Sequence, residues 1–186
     1  MVLLSPPECQ FGEKAPDFSL MATDGQYYDL DRARGAKGSL VMFICNHCPY
    51  VKVIIDQLVE DVKELQAQGV GVIAIMSNDV EAYPADSFEN MKIFAEAHQF
   101  TFPYVIDPEQ DVAKAYGAVC TPDFFAYNGH LSLQYRGRFN DVNPARKATS
   151  ETKQELSAAM IQIVKTGAGP KDQIASMGCS LKWRKP

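Results

Sequence analysis

Continuous apolar runs alternate along the chain with segments in which apolar residues recur at helical spacing. Residues 40–44 (LVMFI) and 70–76 (VGVIAIM) are runs of the kind that form strands buried on both faces. Between them, residues 48–68 place apolar side chains on one helical face, and Gly69 follows as a stop signal. The pattern predicts a strand–helix–strand unit whose strands are parallel and joined by a right-handed crossover.

Two hairpins are predicted outside this unit. Residues 15–20 alternate in polarity and residues 27–30 are again strand-like, with the turn pair Asp24-Gly25 between them. Further along, Asn128-Gly129 separates two apolar runs, and this pair of residues is typical of the tight turn in antiparallel hairpins. Together with the parallel unit, the hairpins predict a mixed sheet.

Further helices complete the predicted pattern. One begins at Asp86, a good N-cap residue with a glutamate three positions on. The last has a capping-box pattern at Thr152 and Glu155 and stops at Gly167. Between these helices we predict two shorter elements, a strand at residues 102–106 and a helix at residues 110–116.

Composition and charge limit the classes of protein to which the chain can belong. It has 186 residues, of which 46% are hydrophobic and 22% charged, with a net charge of −5. These values predict a single domain over residues 1–186, with a core at about 11–168 and a C-terminal tail at 169–186. Nucleic acid is not an expected partner, because no basic stripe with interleaved aromatic residues is present. The short basic end at residues 181–185 is expected to be solvated.

The sequence predicts a cytoplasmic protein that has no membrane partner. The N-terminal segment lacks a positively charged region before its apolar run, which ends at Leu4. No apolar stretch reaches the length of a transmembrane helix. The five cysteines are an odd number, which fits a reducing compartment better than a fully paired disulfide framework.

The candidate chemistry lies where the first buried strand meets the first helix. Cys45 and Cys48 are separated there by Asn46 and His47. The unpaired N–H groups and the partial positive charge of a helix N-terminus stabilise a thiolate, the nucleophilic form of cysteine. A zinc site would need a second Cys or His pair at ligand spacing, and the remaining cysteines and histidines are isolated. The pair is therefore interpreted as redox-active.

The order of elements, with Thr121-Pro122 directly before the C-terminal hairpin, resembles the thioredoxin fold. From about residue 11 onwards the chain is similar to the peroxiredoxin-like, AhpC/TSA-related group of thioredoxin-like proteins. The motifs that carry this resemblance are CNHCPYVK at 45–52, SND at 77–79, YP at 83–84, CTPDFF at 120–125, YRGR at 135–138 and GCSLKW at 178–183. The resemblance implies an α/β fold with a mixed central sheet flanked by helices. It also implies an N-terminal β-hairpin, and a helix–strand–helix insertion before a cis Pro122.

These features together predict a thiol–disulfide oxidoreductase that needs no cofactor and no metal. Cys45 is expected to be the exposed thiolate that attacks a substrate, and Cys48 to resolve the mixed disulfide. A protonated His47 would stabilise the thiolate, and Thr121 and Pro122 would pack against the pair. The expected partners are a disulfide-bearing protein or a small-thiol substrate, and a reductant such as thioredoxin or glutathione.

Two departures from related families leave alternatives open. When the peroxidatic cysteine of peroxiredoxins is aligned with Cys48, Cys45 stands where those proteins carry a Thr or Ser that orients peroxide. Thioredoxins have a buried carboxylate six residues before their first cysteine, and Ser39 stands at that position here. Asp123, Asp56 or a water would then have to move the proton of the resolving thiol.

The residues of the motif also support two other functions. Pro49 suits the first position of a helix, which would make Cys48 the N-cap residue and the more reactive thiol. A peroxide-reducing activity centred on Cys48 is therefore the second hypothesis. The third is a copper chaperone that holds a soft ion through His47, Cys120 and the paired thiols.

Several accessory residues have two interpretations each. Cys120 is either a third redox thiol or a small buried residue. Arg136, like Arg138, either supplies a cation near the CxxC pair or lies on the surface of a strand. Cys179, in the tail, either folds back as a relay or resolving partner or is inert. Asp123, beside Pro122, is either a proton carrier or a turn-capping residue.

Overall fold

The computed structural model describes residues 3–185, which form a large mixed sheet, a small second sheet and helices. The strands of the large sheet, in spatial order, are β3 (Tyr27–Asp29), β2 (Ser19–Ala22), β6 (Tyr104–Ile106), β5 (Val70–Met76), β4 (Gly38–Phe43), β8 (Asp123–Asn128) and β9 (Leu133–Gly137). The small sheet has the order β1 (Leu3–Leu4), β10 (Gly178–Ser180) and β7 (Cys120–Thr121). The α-helices are α1 (Leu30–Ala33), α2 (Pro49–Lys52), α3 (Ile55–Ala67), α4 (Phe88–Ala97), α5 (Asp111–Tyr116) and α6 (Glu155–Thr166). Among residues 3–185, no helix combines the length and the apolar character needed to cross a bilayer.

Strand β4 is the centre of the architecture that positions the cysteine pair. It runs parallel to β5 and antiparallel to β8, so that Phe43 lies opposite Ile75 on one side and Asp123 on the other. Both the predicted parallel unit and the predicted C-terminal hairpin are confirmed, as is the N-terminal hairpin formed by β2 and β3. Because the end of β4 adjoins the start of β8, the segment after Phe43 comes close to Pro122.

The large sheet divides the core into two clusters. All residues of β4 are buried, which explains why residues 40–43 of the strand are continuously apolar. Leu40 and Met42 belong to the cluster that includes the apolar face of α3, whereas Val41 and Phe43 belong to the cluster on the opposite face. Alternate residues of a strand point to opposite faces, so this strand is fixed from both sides.

The helix predicted over residues 48–68 is interrupted by one tighter turn. Helix α2 ends at Lys52 and α3 begins at Ile55. Between them, the Ile54 N–H donates to the Val51 carbonyl at 3.1 Å, which is the three-residue spacing of a 3-10 turn. Gly69, at φ +89°, ends the helical segment as predicted.

Two predicted helix starts are wrong. The N-cap of α4 is Ser87, whose side chain accepts a backbone N–H three residues on, and Asp86 turns inward instead. Helix α6 follows Gln154 without a side-chain cap, because Thr152 accepts the backbone N–H of Thr149. In both cases the predicted cap residue forms different hydrogen bonds.

The C-terminal tail returns to the body of the protein. Strand β10 pairs antiparallel with β1 on one side and with β7 on the other, where Cys179 lies opposite Thr121. A Cβ atom on Gly178 would lie 2.1 Å from the Thr121 carbonyl oxygen, so this approach requires glycine. Leu181 is buried and the Lys182 carbonyl accepts a backbone N–H, so the prediction of a solvated end is wrong for these two residues, whereas residues 183–185 are exposed as predicted.

Candidate active site

The CxxC pair occupies the turn between β4 and α2. Cys48 is the N-cap of α2 and Pro49 its first residue, as the position of the proline predicted. Both cysteines are buried, with 1% of Cys45 and 0% of Cys48 exposed. The expectation that Cys45 is an exposed thiol is therefore wrong, because His47 and Thr121 lie against its sulfur.

Thr121 contacts both sulfurs of the pair. The Thr121-Pro122 peptide bond is cis, as the resemblance to thioredoxin implied. The Thr121 hydroxyl lies 3.4 Å from the Cys45 Sγ, and the Thr121 carbonyl oxygen lies 3.1 Å from the Cys48 Sγ. The strand before Pro122 thus fixes the position of both thiols.

A buried carboxylate that the sequence did not reveal as part of the site holds the CxxC turn. Asp86 is 0% exposed and accepts the backbone N–H groups of Asn46 and His47 at 2.9 and 3.3 Å. Its other oxygen lies 2.6 Å from the His47 Nδ1 and accepts the Asn78 side-chain N–H at 2.8 Å. Asn46 in turn accepts the hydroxyl proton of Tyr104 at 3.0 Å, which ties the turn to the core.

His47 lies between this carboxylate and the first thiol. Its Nδ1 is 3.9 Å from the Cys45 Sγ, and its ring stacks on Tyr83 with centroids 5.6 Å apart. The hydrogen bond to Asp86 raises the pKa of His47, against the opposing effect of burial. The site therefore favours the imidazolium form of His47. The group closest to this imidazolium is the Asp86 carboxylate and not the Cys45 sulfur.

The thiols of the pair differ in their protonation. A hydrogen bond from the Cys45 side chain, with a further one from Cys179, lowers the pKa of Cys48 to about 5 despite burial. The pKa of Cys45 is raised well above the ordinary value by its hydrogen bond to Cys48, by burial and by the charge of Asp86. These opposite shifts favour a thiolate on Cys48 over one on Cys45.

The other two buried cysteines lie on the strands of the small sheet. The Cys179 Sγ is 3.0 Å from the Cys48 Sγ, so the tail cysteine does fold back to the site. The Cys120 thiol is buried and lies 3.6 Å from the Pro122 carbonyl oxygen. Burial raises the pKa of the Cys120 thiol, which is the behaviour of an inert core cysteine.

Arg136 is buried in an ion pair and is not a surface residue. Its guanidinium donates to Asp123 at 3.1 Å and to the Gly117 carbonyl at 2.7 Å. These partners, and not the CxxC pair, hold its charge. Asp123 is fully buried, and burial raises its pKa to about 6 despite the arginine. Asp56 is an exposed partner of His98 and cannot be the missing buried carboxylate.

The described residues include one group with the spacing of metal ligands. One ligand atom each from Cys45, His47 and Asp86 lies within 4.8 Å of the other two. A thiolate, an imidazole and a carboxylate form a mixed donor set, whereas Cu(I) prefers sulfur ligands. Cys120, expected among the ligands of a copper site, is not part of this group.

A small cavity opens beside Pro122. Its volume is about 140 Å³, and its lining includes Tyr50, Phe139 and Met177. A larger cavity of about 610 Å³ is lined by Arg136 and Cys9 and includes neither cysteine of the pair. The lining of the smaller cavity includes Pro122 but, like that of the larger one, neither cysteine of the pair.

A strand–CxxC–helix unit that faces a cis-proline on a mixed sheet defines the class of thioredoxin-fold dithiol proteins. Comparison with known proteins gives the family. The AhpC/TSA family matches residues 11–140, and the chain belongs to that family.

Two curated relatives are thiol-disulfide oxidoreductases named ResA. The protein from Geobacillus thermodenitrificans is 32% identical over 147 residues, which cover 79% of this chain and 76% of that protein. The protein from Halalkalibacterium halodurans is 29% identical over 119 residues, which cover 64% of this chain. The match spans 63% of the length of that second relative.

Solved structures agree on the fold. An uncharacterised conserved protein from Geobacillus kaustophilus is 39% identical with a TM-score of 0.93, covering 100% of this chain and 98% of that one. The thioredoxin domain of a thiol-disulfide oxidoreductase from Bacteroides vulgatus is 16% identical with a TM-score of 0.59, covering 73% of this chain and 91% of that one. The second likeness concerns the fold alone.

Proposed function

We propose that the protein is a thiol–disulfide oxidoreductase whose redox couple is Cys45 and Cys48. The observation that carries the proposal is the pair itself, in which both sulfurs contact the residue before a cis-proline and the pKa of one thiol is lowered. The names of the two curated relatives support the same reaction.

We propose that Cys48 is the first sulfur to react. The sequence favoured Cys45 because a thiol at the end of a strand was expected to be exposed, but both thiols are buried. The lowered pKa of Cys48 favours the thiolate on that sulfur, and the thiolate is the nucleophile. It attacks a substrate disulfide to give a mixed disulfide and a substrate thiolate. Cys45 then attacks the Cys48 sulfur, so that a Cys45–Cys48 bond forms and the second substrate thiolate leaves with the Cys45 proton.

The cycle closes when an external dithiol or thiol reduces the Cys45–Cys48 disulfide. Thioredoxin and glutathione are the proposed reductants, and a disulfide-bearing protein or a small disulfide is the proposed substrate. The cavity beside Pro122 is the proposed entry for the substrate. We also propose the cytoplasm as the compartment, which the odd number of cysteines supports and which cell fractionation tests.

Reduction of a glutathionylated peptide, followed in the presence of excess dithiothreitol, tests the reaction. Loss of at least tenfold in rate is expected for Cys48→Ser, because the attacking thiolate is removed. Cys120→Ser is the matched control and should keep the wild-type rate, because its thiol lies against the Pro122 carbonyl. Equal rates for the wild type and Cys48→Ser would contradict the proposal.

A second candidate function is reduction of peroxide by Cys48. Its position as N-cap and its low pKa favour this function, because peroxide is also attacked by a thiolate. Peroxide consumption coupled to the same reductant distinguishes the two. If the protein reduces peroxide faster than it reduces a disulfide, peroxidase activity is its main function. A copper function would require stoichiometric metal in the purified protein that is lost in Cys45→Ser.

A further inference from the structure

We propose that Cys179 is a third redox-active thiol of this site and that it resolves mixed disulfides formed on Cys48. The inference rests on the proposed oxidoreductase function and adds a resolving thiol from outside the CxxC motif. Under it, Cys48 has two alternative disulfide partners, Cys45 and Cys179.

The two sulfurs are already in contact. The Sγ atoms of Cys48 and Cys179 are 3.0 Å apart although the residues are 131 positions apart in the chain. Both residues are buried, with 0% and 2% of their surfaces exposed. Formation of a disulfide of about 2.05 Å requires the sulfurs to approach by only about 1 Å. This proximity is produced by the fold and not by local sequence.

The backbone holds Cys179 at this position from two sides. Cys179 lies opposite Leu3 of β1 and opposite Thr121 of β7. Thr121 is also the residue whose carbonyl oxygen lies 3.1 Å from the Cys48 Sγ. Gly178 permits the close approach, since a side chain there would meet the Thr121 carbonyl. One residue therefore positions both Cys48 and the strand that carries its second partner.

The resolving step balances in atoms and electrons. A mixed disulfide Cys48–S–S–R is attacked at the Cys48 sulfur by Cys179. The Cys48–Cys179 bond forms, the bond to R–S breaks, and R–S leaves with the proton that Cys179 gives up. The two electrons pass from the protein to the substrate, and no further oxidant is consumed. Cys45 remains a thiol and can later displace Cys179 from Cys48 by the same exchange.

The charge around Cys179 changes in the direction that this step needs. In the resting site, burial and the hydrogen bond to Cys48 raise the pKa of Cys179 to about 12, while the charge of Lys182 opposes the rise. Once Cys48 is in a disulfide, it carries no negative charge that would raise the pKa of Cys179. The positive charge of Lys182, which lowers that pKa, is still present. Cys179 is therefore more readily deprotonated at the step in which it attacks.

Disulfide mapping of the full-length Cys45→Ser variant tests the proposal. The reduced variant is treated with glutathione disulfide, alkylated and digested. Most Cys48 is expected in a Cys48–Cys179 linked peptide, because Cys179 expels glutathione from Cys48. The Cys45→Ser/Cys179→Ser variant should accumulate at least tenfold more of the Cys48 glutathione adduct. Cys45→Ser/Cys120→Ser is the matched control and should close the Cys48–Cys179 bond normally. A stable glutathione adduct on Cys48 with Cys179 alkylated would overturn the proposal.

Two further measurements keep the test independent of the folding of one variant. The wild-type chain, quenched with acid at successive early times of the same reaction, should yield the Cys48–Cys179 peptide before or beside the Cys45–Cys48 peptide, and absence of the first at every time overturns the relay. Cys179→Ser separates the relay from the underlying function. If Cys179→Ser closes Cys45–Cys48 but Cys45→Ser does not close Cys48–Cys179, the relay is wrong and the oxidoreductase function stands. If neither closes, the proposed function itself is wrong.

Discussion

At the residue scale, the two thiols of the CxxC pair share one turn but lie among different neighbours. Asp86 is close enough to Cys45 to oppose a negative charge on that sulfur, and it also neutralises much of the charge of His47. Cys48 is surrounded instead by the thiols of Cys45 and Cys179, which can donate to a thiolate. This asymmetry assigns the proton and the negative charge to different sulfurs of the pair.

The thiolate on Cys48 should depend on the thiol of Cys45. In Cys45→Ala the largest donor is gone, so the pKa of Cys48 is expected to rise by at least about one unit from its value of about 5. The ultraviolet absorbance of the thiolate, followed as a function of pH, measures this change. Cys120→Ala is the control and should leave the titration unchanged. An unchanged titration in Cys45→Ala would show that the Cys45 thiol is not the donor.

The ion pair of His47 and Asp86 should make stability depend on pH with a defined sign. The pKa of His47 is raised in the folded state, above its unfolded value of about 6.5. Its contribution to stability is therefore complete below about pH 6.5 and is lost as the pH rises through the higher folded value. The loss of unfolding free energy in His47→Gln should be larger near pH 5.5 than near pH 9.

Urea unfolding of the wild type and His47→Gln at both pH values makes this measurement. His98→Gln is the matched control, because its partner Asp56 is exposed and such pairs contribute about 1 kcal/mol or less. Equal destabilisation of His47→Gln at the two pH values would contradict the assignment of a charged His47.

At the element scale, the short strand β10 completes the site. It lies between β1 and β7. The C-terminal tail of the protein therefore pairs with the edge of β7, where Cys179 lies opposite Thr121, the residue before Pro122. This pairing places a third sulfur against Cys48 and covers the buried thiols. The strand is only three residues long, and its docking depends on a close backbone contact at Gly178.

Gly178→Ala should loosen this element. The added Cβ would meet the Thr121 carbonyl oxygen at 2.1 Å, and such overpacking typically costs about 1 to 3 kcal/mol. Urea unfolding measures the cost, and amide hydrogen exchange shows whether the loss of protection is confined to β10 and its partners. Ser180→Ala, on the same strand, is the control and should change stability by less than about 1 kcal/mol. Equal behaviour of the two variants would contradict the proposed role of Gly178.

The elements that the sequence predicted are those with a local signal. Strands β4 and β5 are continuous apolar runs, and the Asn128-Gly129 turn specifies a hairpin. The sequence assigned the helix cap to Asp86, whereas the cap is the neighbouring Ser87. Asp and Ser are both good N-cap residues, so only the fold decides between them. Strand β10 has too few residues to show periodicity, so its pairing could not be predicted.

For the candidate site too, the sequence predicted the residues that belong to local motifs and not those that arrive by tertiary contacts. The CxxC spacing and the proline of α2 identified Cys45 and Cys48, and the order of elements indicated Pro122. Their burial and charge depend on Asp86 and Cys179, which are remote in sequence and arrive by tertiary contacts. Exposure alone therefore could not decide which of the two thiols reacts first, and the proposed order rests on these tertiary contacts.

At the scale of the whole molecule, the fold collects three distant segments around one sulfur. The turn after β4 supplies the pair, β7 supplies the residue before the cis-proline, and β10 supplies Cys179. The central β4–β8 pairing brings the first two together, and the small sheet adds the third. We expect the redox behaviour of the protein to belong to this assembly and not to the motif alone.

A redox titration of full-length Cys179→Ser tests the Cys45–Cys48 couple directly, because the CxxC pair is the only proposed couple of this variant. The protein is equilibrated in glutathione buffers of graded potential, alkylated and analysed by mass spectrometry. We predict that Cys45 and Cys48 lose alkylation together as one two-electron couple and appear in one linked peptide. Because the low pKa of Cys48 stabilises the reduced pair, the potential of the couple should lie above the thioredoxin value of about −270 mV. If the two thiols stay alkylated in oxidising buffer, or each carries its own glutathione, the pair is not a redox couple and the account is wrong.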